Sequence, residues 1–481
     1  MASTTAPNGL HTAILSPLDQ YMPRIYVRIY LVFHTPDPLA AVESLNAGVK
    51  ELGSRLPFLQ GSVNDNHPHG QIAISWSASD APLSLHPISC CPGTNTPSFK
   101  QLEEEGALLH YFADAFPALI QARTAANPQN PGSPAFAAGY TILDAAVVVG
   151  VAVHHSIADG TGVSEIIRFW ASCTRQSSPP ENQTPRSDEP LLRRALLRSG
   201  LPPPSEKPLT ERLASLPQVY LRSLDPSRNQ AVDTSATKGG IHLFTFSVSR
   251  LESARVALRS AEAELDPAAL STNNILTGII WACVSRARAA RRKGVVLGNG
   301  MSKMGFAING RRQFTGDIAA RPYVGNVNLY GLPELPCGVL EGIGAVCLAG
   351  TGQVGGLLPV LKGIYEAIKR VTGGHIAEFA EMMEAVGDVR DVTPNWVRAN
   401  GPDLSVTSWA NMGVYESDFG EGVGKPLWMR VPGDFVGDGL VIVLPRKRTG
   451  EDVRGIEVLL LMCEEDLRFL EGDEVWRSWL V

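Results

Sequence analysis

Cysteine is scarce in this chain of 481 residues: there are seven, at 90, 91, 173, 283, 337, 347 and 463. None stands in the Cys-x-x-Cys or Cys/His spacing that a tetrahedral zinc site needs, and an odd, sparse set makes no disulfide framework. Reduced thiols and a cytoplasmic setting are the expectation. His67 and His69 in the stretch NHPHG have no third ligand nearby, so they read as a surface turn and no metal is expected. Charge of either sign is also thin. Charged residues make up 19% and the net charge is −6, which gives no field for a polyanion and excludes nucleic acid as a partner. No basic segment followed by an apolar run opens the sequence, which argues against secretion. The strongest apolar runs, Ala145–Val153 and Val458–Met462, fall far short of the ~18 residues of a membrane span. What is abundant is core-forming sequence: 44% hydrophobic, with mean hydropathy +0.01, predicts a soluble globular protein of several domains.

Residues 1–176 read as mixed strand and helix. Ile25–Phe33 is β-branched and aromatic like a strand, Leu39–Leu52 has helical spacing, and Thr141–Val153 (TILDAAVVVGVAV) reads as one buried strand. A polar turn comes after it, and helical period resumes from Ser164. Residues 177–240 carry a run of prolines, among them Pro202, Pro203 and Pro204, and read as a crossover linker with short helical pieces such as Leu191–Arg198. Residues 241–481 form a second αβ region. It opens with the strand Ile241–Val248 and ends with the strands Leu440–Leu444 and Gly455–Cys463. No short repeat is present.

The turn after the first buried strand carries the candidate chemistry. Imidazole titrates near neutrality, so His155 at a strand end facing a cleft suits a general base for a hydroxyl or amine. Asp159, four residues on and succeeded by Gly160 and Gly162, can pin the turn or pair with a cation. His154 is the rival base, but neighbours on a strand end point opposite ways, so one of the two faces a given cleft. A His-x-x-x-Asp spacing by itself also suits a structural histidine in a plain turn.

His155-Ser-Ile-Ala-Asp159-Gly160 resembles the HxxxDG motif of the BAHD-type acyl-CoA-dependent acyltransferases, in their fungal trichothecene 3-O-acetyltransferase-like branch. Further matches lie in order along nearly the whole chain. They are Leu15-Ser-Pro-Leu-Asp19-Gln20 with Met22-Pro-Arg-Ile-Tyr26, Leu56-Pro-Phe-Leu-Gln-Gly61, Ser271-Thr272 through Trp281, Asn309-Gly310-Arg311, Tyr323-Val-Gly325-Asn326, Thr407-Ser408-Trp409, and Asp418-Phe419-Gly420-Glu421-Gly422. The resemblance implies an α/β (α+β) fold of two chloramphenicol-acetyltransferase-like αβ sandwich domains with a channel between them. It implies direct transfer from acyl-CoA, acetyl-CoA above all, to a small alcohol or amine acceptor through a ternary complex, with no acyl-enzyme and no metal. His155 is then the general base, Asp159 its structural support paired with Arg311, and Asp418, Phe419, Gly420 and Gly422 a structural loop. Asn309 stands where the family usually has aspartate, and Glu421 where the plant form has tryptophan. A monomer decorating a fungal secondary metabolite is the expectation.

Two elements have a physical reading beside the resemblance. Ser271 and Thr272 precede a helical stretch, Asn273–Arg288, where they can cap it or offer free amides to a CoA phosphate. Thr407, Ser408 and Trp409 set hydroxyl donors beside a flat apolar wall, suited to an oxyanion and a bulky acceptor, though a core tryptophan would look the same. Gly350-Thr-Gly352-Gln-Val-Gly355 spells a dinucleotide motif, but Pro359 interrupts the segment after it and no acidic residue ends a second strand, so it reads as a flexible loop. Gly422-Val-Gly424-Lys425 lacks the remaining P-loop residues. A condensation-type enzyme acting on a carrier-bound or intramolecular substrate, and a non-catalytic binding protein on the same scaffold, are the alternatives.

Overall fold

The computed structural model describes residues 3–5, 9–65, 67–91, 96–127, 130–225, 239–292, 300–350, 352–434, 437–447 and 455–481. Residues 226–238 of the expected linker and Thr351 of the glycine-rich motif lie outside them.

Helix α1 (Pro17–Tyr21) opens with a capping box, Ser16 accepting from the Asp19 amide while the Asp19 carboxylate accepts from Ser16. Strand β1 (Tyr26–His34) leads to helix α2 (Pro38–Arg55). Strands β2 (Leu85–Pro87), β3 (Phe136–Ile142) and β4 (Ala146–His154) complete the first sheet in the order β1-β4-β3-β2, with Trp428–Arg430 from the far end of the chain added outside β1. The apolar run expected as one strand is therefore a hairpin. The chain reverses at Leu143–Ala145, where the Leu143 amide bonds the Ala146 carbonyl, and Leu143 and Ala146 are buried although Ile142 is exposed, so that the apolar residues of the turn hid it from hydropathy. All nine residues of β4 are buried. Val147, Val149, Val151 and Val153 face one core, with α2 and α3 (Gly160–Thr174), while Val148 and Ala152 face another with Phe112 and Phe116.

The proline-rich stretch is more than a tether: it contains α4 (Glu189–Gly200), whose Glu189 and Arg193 are fully buried. The second sheet begins at β5 (Gly239–Ser247), and after the almost wholly buried helix α5 (Thr272–Arg291) continues through β6 (Met301–Asn309), β7 (Asn328–Gly331), β8 (Leu404–Ser408), β9 (Leu440–Val443) and β10 (Gly455–Cys463). Its order is β5-β10-β9-β8-β6-β7, parallel at β6/β8 and β8/β9. On β10, Val458, Leu460 and Met462 face the helices of this half, whereas Leu459 and Leu461 join the first core. The second sheet thus lends one face to the seam between the halves.

Pro359, expected to break the segment after the glycine motif, instead sits in the first turn of the helix Leu358–Arg370, where a missing N–H costs nothing. The residues Gly352–Leu357 before it form a short helical piece rather than an open loop. Among the described residues no helix is long and apolar enough to cross a membrane.

Candidate active site

β4 ends at His154, and the turn beyond it places two adjacent imidazoles in different surroundings. His154 is buried edge-on against Tyr26, and its Nδ1 accepts from the Ser156 amide at 3.2 Å. Burial, then the neighbouring His155, push its pKa down to about 4, so it stays neutral. His155 is half-buried and opens into a cavity of about 1520 Å³. Its amide donates to the Ile25 carbonyl at 2.8 Å, which pins the turn to the start of β1. Burial also lowers the His155 pKa, opposed by its own carbonyl, Asp159, Asn326 and Asp19. The ring is therefore a neutral base at physiological pH.

Asp159 caps α3, accepting from the Gly162 amide at 2.9 Å. Gly162 is required there, since a Cβ would lie 1.9 Å from the Val324 carbonyl oxygen. Both Asp159 oxygens receive Arg311, Nη1 and Nη2 each at 2.9 Å. Burial disfavours this carboxylate, but Arg311 and the amides of Val327 and Gly162 outweigh it and hold its pKa below the ordinary aspartate value. Asn309 accepts from the Arg311 amide at 3.0 Å and reaches Thr161 with its own side-chain nitrogen at 3.1 Å, a neutral link where a carboxylate would only accept.

Sequence reasoning missed what lies beneath this turn. The segment 324–327 is held amide by amide by three buried carboxylates: Glu189 takes Val324 and Gly325, Asp19 takes Asn326, and Asp159 takes Val327, all at 2.8–3.0 Å. Arg193 stands among them, 3.1 Å from Glu189 and 3.3 Å from Asp19, and donates to the Ile157 carbonyl at 2.8 Å. Asp19 and Tyr323-Val-Gly325-Asn326 were marked by the resemblance without a role; for Glu189 and Arg193 the signal was an i,i+4 Glu–Arg pair on α4, which on an exposed helix would look the same.

Thr407, Ser408 and Trp409, at the end of β8, line the same cavity as His155 from the other half of the chain. Trp409 packs on the turn: a Cβ built on Gly160 would lie 3.3 Å from its indole. Tyr330, Trp396, Leu440 and Ile442 extend the apolar wall. Ser271 caps α5, accepting from the Asn274 amide at 3.2 Å; neither it nor Thr272 lines the cavity. Asp418, Phe419, Gly420 and Gly422 also lie off it. Phe419 is wedged between Phe33 and Trp170, Asp418 accepts from the Gly420 amide, and Gly420 and Gly422 take φ of +96° and +85°, open to glycine at little cost. Glu421 is exposed to solvent. Among the described residues no group of three or more His, Cys, Asp or Glu side chains is placed to hold a metal ion.

A pair of hydroxyl donors sharing a large, largely apolar cavity with a neutral imidazole can support deprotonation of a hydroxyl and stabilise the oxyanion formed when it attacks a carbonyl. Comparison with known proteins identifies the family. The model of the Transferase family matches residues 100–475, and that of the Trichothecene 3-O-acetyltransferase-like N-terminal domain matches residues 25–173. A trichothecene 8-O-acetyltransferase of Fusarium sporotrichioides is 30% identical over 498 residues, covering 98% of each chain. An O-acetyltransferase of Penicillium ochrochloron is 26% identical, covering 97% of this chain and 96% of its own. The crystal structure of F. sporotrichioides TRI101 complexed with coenzyme A and T-2 superposes with a TM-score of 0.74 at 20% identity, over 97% of this chain and 98% of that one, and shares the fold.

Proposed function

Because the chain belongs to the Transferase family and is an acyl-CoA-dependent O-acyltransferase, we propose that His155 is its general base, that acetyl is the group moved, and that the acceptor is a hydroxyl of a fungal secondary metabolite. The observation that carries this reading is a neutral imidazole opening into a cavity shared with Thr407 and Ser408. His155 removes the acceptor's proton as its oxygen attacks the thioester carbonyl carbon. The Thr407 or Ser408 hydroxyl supports the oxyanion, the carbon–sulfur bond breaks, and the thiolate of CoA recovers the proton from the imidazolium. Holding both substrates in one cavity supplies much of the acceleration, while the base is worth ~10²–10⁴-fold.

Asp159 acts through geometry: paired with Arg311 it fixes the turn and does not touch the reacting atoms. Ser271 serves as the cap to α5, with Thr272 its first residue, and the loop from Asp418 to Gly422 locks the second half onto β1 and α3. The chain divides as 1–176, 177–240 and 241–481, with α4 a structural part of the crossover. The seven free cysteines suit a reducing, cytoplasmic setting, and a site built wholly within one chain suits a monomer. Acetyl-CoA incubated with the purified protein and a panel of hydroxylated secondary metabolites should release CoA only when an acceptor is present. No release with any acyl donor and any acceptor would overturn the reading.

A further inference from the structure

The Nδ1 of His155 is buried and holds no hydrogen bond, and the Asn326 side chain lies against the same residue. Asn326 donates through Nδ2 to the Asp19 carboxylate at 2.9 Å and to the His155 carbonyl at 2.8 Å. Both recipients are acceptors, so the amide nitrogen must point at them, and its oxygen is left on the opposite side. Asp19 cannot turn away: one oxygen receives the Ser16 amide and hydroxyl, the other receives the Asn326 amide and side chain, and Arg193 stands 3.3 Å from it. The side chains of Ser16, Asp19, Arg193 and Asn326 are all buried. Two atoms in this packed region are left over, His155 Nδ1 and Asn326 Oδ1, both buried and neither holding a hydrogen bond. One can be a donor and the other is an acceptor, on residues already joined by a 2.8 Å bond, and leaving both unpaired would be costly.

Building on the assignment of His155 as base, we propose that Asn326 is a positioning residue: its Oδ1 accepts the Nδ1 proton of His155, so that the resting ring is protonated on Nδ1 and presents an unprotonated Nε2 to the cavity. The His155 carbonyl is the competing acceptor: it takes Asn326 Nδ2 on one lone pair and has a second for the ring proton, so removal of Asn326 is what distinguishes the two. The chain of restraint then runs from α4 through Arg193 and Asp19 to Asn326 and the imidazole, and gives the buried network under the turn a chemical purpose. Burial disfavours the protonated ring, whereas the residue's own carbonyl, Asp159 on the same turn, Asn326 and Asp19 on α1 favour it; His154 beside it stays neutral.

The test uses full-length protein labelled with ¹⁵N-histidine, with the His155 signals assigned by their loss in His155→Ala. In the resting wild type, Nδ1 should be protonated and Nε2 bare. Asn326→Ala should show a mixture of the two tautomers, with kcat reduced about 10-fold to 100-fold, part of what a base contributes, and with KM for acetyl-CoA unchanged. Its acid-limb midpoint should move to lower pH, because an acceptor for the imidazolium is gone while the residue's own carbonyl, Asp159 and Asp19 remain. A wild-type ring protonated on Nε2, or an Asn326→Ala protein that folds and keeps both the wild-type tautomer and the wild-type midpoint, would overturn the proposal. The wild-type spectrum needs no variant to fold. It also separates the two claims: full turnover in His155→Ala together with an Nδ1-protonated wild-type ring removes the base assignment, whereas an Nε2-protonated ring with turnover lost in His155→Ala removes only the role of Asn326.

Discussion

The two walls of the cavity are built by opposite means. On the first, the turn 155–159 is anchored by the Ile25 carbonyl, the Arg311–Asp159 pair and a buried set of Asp19 from α1 with Glu189 and Arg193 from α4, which holds the amides of 324–326. On the second, Thr407, Ser408 and Trp409 extend from the end of β8, with the Trp409 amide bonded to the Val443 carbonyl and the three residues lining the open space. A proton transfer tolerates little misplacement, since an ångström of error removes much of the benefit of orientation. Recognition of a bulky apolar acceptor rests on area and shape, which a wall of aromatic and aliphatic side chains supplies and which substitution can reshape without disturbing the base. The difference teaches that in this molecule buried charge holds the turn that carries His155, the proposed base, while apolar surface forms the wall proposed to select the acceptor.

Substitutions on the two walls should therefore fail differently. His155→Ala should lower kcat/KM by at least ~10²-fold with unchanged circular dichroism; wild-type turnover in a folded variant would take the first wall out of the chemistry. Asp159→Ala removes the carboxylate from Arg311, which keeps Asn309 and the Tyr323 and Gly325 carbonyls, and orphans the Gly162 and Val327 amides, so a destabilisation of about 3–5 kcal/mol is expected. It should appear as a lower urea midpoint and a lower soluble yield together with lost activity, and an unchanged midpoint would contradict the supporting role of the pair. The smallest effect belongs to the second wall. Trp409→Ala should raise KM for the acceptor about tenfold, the scale of one or two lost apolar contacts, with KM for acetyl-CoA and thermal stability little altered. Loss of stability as large as that of Asp159→Ala would show that Trp409 is a core residue first.

The first wall was legible in the sequence where side chains alone determine the outcome. Nine consecutive residues with no acidic, lysine or arginine side chain, Ala146 to His154, suit a strand buried on both faces, and the aspartate before two spaced glycines marks the start of α3. The hairpin at Leu143–Ala145 was not legible, because its turn is made largely by apolar residues that pack as well as a strand would. The platform beneath the turn was illegible for a different reason. Sequence records side chains, whereas Glu189, Asp19 and Asp159 are occupied with the backbone amides of 324–327, and an amide's partner leaves no mark on its residue type. Glu189 and Arg193 compounded this by lying four apart in a proline-rich stretch, where charge normally signals solvent; their burial depends on Asp19, which is distant in the sequence and packed against Arg193. Thr407 and Ser408 could be named but not placed, since only the parallel pairing of β8 with β6 and β9 turns the strand's end toward His155's cavity.

The pH dependence of kcat/KM, measured on the wild type and on the residual rate of His155→Ala, bears most directly on the claim that a neutral imidazole at the end of β4 takes the acceptor's proton. Burial lowers the pKa of His155, so activity in the wild type should fall with a single protonation whose midpoint lies below about 6.5, the ordinary value for histidine, and that ionisation should be missing from the variant. A wild-type profile flat through this range, or the same midpoint in both proteins, would contradict it.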